Sequence, residues 1–66
     1  MRDKLYEVTG TIMGKRVKER VQTLDEARSI VSDLDTGNIW YLSVLGRRRV
    51  STRRQVIRDS AKGGAA

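Results

Sequence analysis

At 66 residues and 38% hydrophobic content, the chain has material for one small core, and Tyr6, Trp40 and Tyr41 are its only aromatic residues. Cysteine and histidine are both absent, which excludes disulfides, Cys/His zinc sites and Ser-His or Cys-His nucleophile pairs. A net charge of +6 favours polyanionic partners, and it is concentrated in the second half: residues 34–66 carry seven Lys or Arg against two Asp or Glu, whereas residues 1–33 carry seven against six.

In chain order, "KLYEVTGTIMGKRVKERVQ" reads as a β-hairpin. Tyr6, Val8 and Ile12 alternate with polar residues, Val17 and Val21 do the same, and Gly14-Lys15 is the expected turn. Arg16, Lys18 and Arg20 then share the face opposite Val17 and Val21. Glu19 interrupts the apolar side and is expected near an open edge.

"TLDEARSIVSDLDTGN" predicts a helix of about ten to twelve residues. Thr23 and Glu26 form a capping box, and Leu24, Ala27, Ile30, Val31 and Leu34 make one apolar stripe. Gly37 is the expected left-handed C-terminal cap. Asp25 and Glu26 complement the helix dipole, and the outer face is acidic.

"NIWYLSVLG" is apolar on both sides and reads as a central strand, with Trp40 inward beside Leu42 and Val44, and Tyr41 outward where a ligand would meet it. Gly46 turns the chain into "RRRVST", a fourth strand with Val50 inward. From Ser51 or Thr52 onward the signals compete. "TRRQ" satisfies a capping box, with Val56, Ile57 and Ala61 on one helical face and Gly63 closing the helix, but a strand through "RQVIR" fits as well. The expected fold is therefore α+β: hairpin, helix, hairpin, with one helix on one face of a small antiparallel sheet and an optional short C-terminal helix. Residues 1–62 form the single domain and 63–66 a disordered tail.

The segment 4–33, a short basic hairpin "YEVTGTIMGKRVKERVQT" running straight into "TLDEARSIV", resembles the AP2-like arm-binding modules of phage and transposon tyrosine recombinases. Those insert a sheet into the DNA major groove. The resemblance implies a mobile-element origin and DNA contact through Arg16, Lys18 and Arg20. The chain departs from that family in having two strands before the helix where three are usual.

Paired carboxylates and a glycine-rich phosphate loop are the remaining catalytic signatures, and neither is present in usable form. Asp25 and Glu26 serve the helix cap, Asp33 and Asp35 diverge, and neither Gly10 nor Gly14 is followed by Lys-Ser or Lys-Thr. No enzyme activity and no cofactor are expected. The informative feature is the cluster Arg47, Arg48, Arg49, Arg53, Arg54 and Arg58, built from the residue whose planar fork binds phosphate, carboxylate or guanine in bidentate fashion. With Arg16, Lys18, Arg20 and Tyr41 it forms the candidate nucleic-acid site, DNA favoured over RNA. An inhibitor or adaptor docking its arginines on an acidic protein surface is the alternative. The longest apolar run, "IWYLSVL", is about a third of a membrane span, and the N-terminus lacks a signal-peptide pattern, so a cytoplasmic protein with no membrane partner is expected. Leu5, Met13, Ile39 and Leu45 are left needing cover, which points to a homodimer.

Overall fold

The computed structural model describes the backbone of residues 5–65 and the side chains of residues 5–60. Lys4, at the start of the segment with the family resemblance, lies outside the described residues, as do Ala66 and the side chain of Ala61. The order is β1 (Tyr6–Ile12), β2 (Lys15–Val21), α1 (Leu24–Ser32), β3 (Thr36–Ser43), β4 (Gly46–Thr52) and α2 (Arg53–Ala65). The strands form one antiparallel sheet ordered β2-β1-β3-β4, so the fold is α+β, with one helix between the hairpins and another after them. No helix among the described residues is long and apolar enough to cross a membrane.

Alternation in β1 assigns the two faces. Val8 and Ile39 are ladder partners and fully buried, and they meet Ala27, Val31 and Leu34 from α1 and its exit and Val56 from α2. Both helices therefore lie on one face of the sheet. Thr52 begins α2 with the expected capping box: its hydroxyl accepts from the Gln55 amide at 3.2 Å and the Gln55 side chain accepts from the Thr52 amide at 3.1 Å. Helix thus prevails over strand here because Val56 completes the core. The backbone of α2 continues past Gly63 to Ala65, so Gly63 does not close the helix.

The Thr23–Glu26 capping box forms as expected. Gly37, however, does not cap α1. The helix ends at Asp33, and Gly37 sits inside β3 opposite Gly10. A Cβ on Gly37 would stand 2.8 Å from Val31 Cγ2, and one on Gly10 only 2.0 Å from the Thr36 carbonyl oxygen. The glycine pair is what lets the end of α1 and Leu34 approach the sheet.

The first turn is Met13-Gly14, one residue earlier than expected, with φ of +52° and +79°. Met13 tolerates this conformation because its amide donates to Asp35 Oδ2 at 2.8 Å, tying the turn to the loop after α1. In the second hairpin a bulge lies between Ile39 and Trp40, where Ile39 pairs with Ser51 but Trp40 pairs with Arg49. Val50 is the extra residue and is 43% exposed, so it is not the inward residue expected. Val44 is not inward either: with Leu45 it forms the exposed tip of the hairpin. Ile39, expected to need cover from another copy, belongs to the core, and Met13 and Leu45 lie at opposite ends of the sheet.

Candidate nucleic-acid interface

The face without helices is built from the alternate residues of the same strands. Ladder partners project to one side, so Glu7, Thr9 and Thr11 of β1 share this face with Arg20, Lys18 and Arg16 of β2 and with Trp40, Asn38 and Thr36 of β3. From β4, Arg47 reaches across it. The centre is Glu7, 1% exposed with no helix above it. Arg47 Nη1 donates to Glu7 Oε1 at 2.6 Å, Arg20 Nε donates to Oε2 at 3.3 Å, and Lys18 Nζ stands 3.8 Å from Oε2. Burial pushes the Glu7 carboxyl pKa up, but the hydrogen bonds from Arg47 and Arg20, with the charges of Lys18 and Arg47, outweigh it and hold the group below its ordinary value.

The three cations remain largely in solvent, with side chains 51% to 67% exposed. One buried negative charge thus gathers three cations whose outer N–H groups have no other acceptor among the described residues. Trp40 is the second organiser. Its indole N–H donates to Thr9 Oγ1 at 2.9 Å, and the Arg47 guanidinium carbon lies 4.7 Å from the ring centroid. Trp40 therefore faces away from the helices, half-buried, contrary to the inward position expected from the sequence. Tyr41 takes the helix side, where it packs against Tyr6 at 5.6 Å between ring centroids and remains 39% exposed. The inversion follows from the core's need for Ile39 under α1 and α2, since neighbours in a strand point to opposite sides.

Beside this cluster the face forms an open trough of about 800 Å³. Its floor is short and polar, made of Thr9, Thr11, Thr36 and Asn38, with Thr11 and Thr36 hydroxyls 2.8 Å apart. Arg16 and Lys18 line it from β2 and Arg47 from β4. Strands β2 and β4 are three strand intervals apart, or about 14 Å.

The expected site residues therefore divide. Arg16, Lys18, Arg20 and Arg47 meet on the helix-free face. Arg49, at the bulge, is the ladder partner of Trp40 and by register shares its face, and it also borders, with Arg48, a hollow against Tyr6 and Tyr41. Arg53 and Arg54 occupy the first turn of α2 and border a shallow hollow with Asp35 and Thr52, and Arg58 lies one turn beyond Arg54, exposed. Tyr41 does not share a face with the basic row. Sequence reasoning passed over Glu7 and the threonine floor, although the signal was present: a turn at Met13-Gly14 pairs position 7 with position 20, a carboxylate with an arginine. No family model matches the chain, and no curated protein or solved structure matches it significantly.

Proposed function

We propose that this chain is a non-enzymatic nucleic-acid-binding module, with duplex DNA the favoured form, which grips phosphates with the helix-free face of its sheet. The observation that carries the reading is the assembly of Arg16, Lys18, Arg20 and Arg47, from strands at opposite edges, around one buried carboxylate and a short polar floor. Long cationic side chains at the rims reach phosphate, while threonine and asparagine on the floor offer hydrogen bonds and methyl groups to base edges. The resemblance of the first half to recombinase arm-binding modules points the same way and supports a mobile-element origin.

Each neutralised phosphate releases counterions, so affinity should fall with salt at a log-log slope of roughly −0.9 per contact. Gel-shift titrations at several salt concentrations should show Arg16→Ala and Lys18→Ala each lowering affinity and flattening the slope by about 0.9. Arg58→Ala, on α2, should leave the slope unchanged. Absence of binding to both duplex and single strand at low salt would end the reading.

A second reading has its own observation. Arg54, Ile57 and Arg58 fall on one exposed ridge of α2, away from the sheet face, and Ile57 is 39% exposed. Such a ridge suits an acidic protein surface with an apolar pocket, and a stoichiometric partner that survives nuclease treatment and is lost on Arg58→Glu would support it. A cytoplasmic location and a homodimer complete the proposal. Sedimentation equilibrium reads the second directly, as 7.5 kDa or twice that mass.

A further inference from the structure

The β3–β4 hairpin extends past the rest of the sheet. Among the described residues, Tyr41 is the last of β3 paired with β1 and the Leu42 amide still reaches the Leu5 carbonyl at 2.8 Å, while Ser43 to Gly46 continue beyond. At the tip Val44 and Leu45 are 101% and 96% exposed. The positive φ of this turn falls on Gly46, at +123°, and not on Val44 or Leu45, so the backbone permits aliphatic side chains at the tip but does not ask for them. The turn is nevertheless held in place: Ser43 Oγ donates to the Gly46 carbonyl at 3.0 Å and accepts from the Leu45 amide at 3.3 Å. Immediately behind the tip stand Arg47, on the helix-free face, and Arg48, paired with Tyr41 on the other. A pinned, protruding apolar tip with cations on both sides has the form of a wedge directed at an anionic surface.

Two anionic surfaces take such a wedge, a nucleic-acid duplex and a charged bilayer. Val44 and Leu45 together carry about half the carbons of a myristoyl chain, which alone binds membranes only marginally. The cations also continue from Arg47 onto Lys18 and Arg20, gathered on Glu7 along the sheet face. A bilayer touched by the tip alone would leave them unused, whereas a duplex lying along the face passes both. We infer that Val44 and Leu45 insert between base pairs of a bound duplex, unstacking one step and bending the helix axis, while Arg47 and Arg48 hold the flanking phosphates. The inference rests on the nucleic-acid reading and adds to it a deformation of the ligand.

The test uses the full chain and short duplexes carrying 2-aminopurine at successive positions, with donor and acceptor dyes on the ends of a second set. The wild-type protein should raise 2-aminopurine emission at one step and increase end-to-end energy transfer. The double variant Val44→Ser, Leu45→Ser, altered only where side chains are solvent-exposed, should keep its circular dichroism spectrum and its salt slope. It should lose both optical signals and about tenfold in affinity. Duplex binding by the wild type with neither signal, or signals unchanged in the double variant, overturns the wedge and leaves the phosphate-binding face standing. Failure to bind any duplex removes the reading itself. Cosedimentation with phosphatidylserine vesicles that is abolished in the double variant, with no optical change on DNA, assigns the tip to a membrane and overturns the inference.

Discussion

The two faces of the sheet use alternate residues of the same strands and exclude water by different means. On one, Val8 and Ile39 are covered by two helices. On the other, Glu7 is as inaccessible as Val8 but is covered by the stems and head groups of Arg20, Arg47 and Lys18. The first arrangement is apolar and non-directional, and it sets stability. The second is held by charge-assisted hydrogen bonds, keeps its cations in contact with solvent, and is the face proposed to exchange its cover for phosphate.

The sharpest way to break the helix-covered face is Gly10→Ala. The added methyl would stand 2.0 Å from the Thr36 carbonyl and force β1 from β3, at a cost of about 4 kcal/mol. Urea titration should find the variant largely unfolded. Ile39→Ala removes the largest fully buried side chain among the described residues and should cost about 3 kcal/mol by the same measurement. On the opposite face, Glu7→Gln keeps the shape but removes the charge. With its partners half in water it should cost only about 1 kcal/mol, while raising affinity for duplex DNA because the cations lose an internal competitor for phosphate. A Glu7→Gln penalty as large as that of Ile39→Ala would mean that both faces are equally structural.

The smallest effect is the pH dependence. The Glu7 carboxyl is held below its ordinary 4.5 in the folded chain, so between the folded and unfolded values the unfolded state binds more protons. The associated stability is fully present above the unfolded value and is lost as pH falls through the folded one. Thermal melts of the wild type should show this acid-side decline, and Glu7→Gln should lack that component of it.

The elements were legible because each carries a local signal: period-two alternation, and the Thr23–Glu26 and Thr52–Gln55 boxes. What escaped was decided by distant contacts. β3 is apolar on both sides, so its alternation does not say which side meets the helices. Gly37 decides it, as a position where a helix must come close, but taken alone it reads as a helix cap. Val50 shows the same limit, because a bulge changes the parity of a strand and leaves no mark in hydrophobic patterning. The arginine cluster looked contiguous because sequence counts neighbours. In space β4 and α2 distribute it over several surfaces, and the row on β2 supplies most of the charge around Glu7.

Trp40 is the only tryptophan, and its ring lies under the Arg47 guanidinium with its N–H bound to the Thr9 hydroxyl. Red-edge excitation of this protein therefore samples the helix-free face and not the core, which has no indole. An excited indole dipole shifts its emission when a nearby charge moves, so a polyanion that draws Arg47 off the ring changes the colour of the emitted light, and loosening of the helix-covered side alone leaves that local environment as it was. The chain carries a built-in optical probe at the place where its ligand is expected, readable without any attached dye.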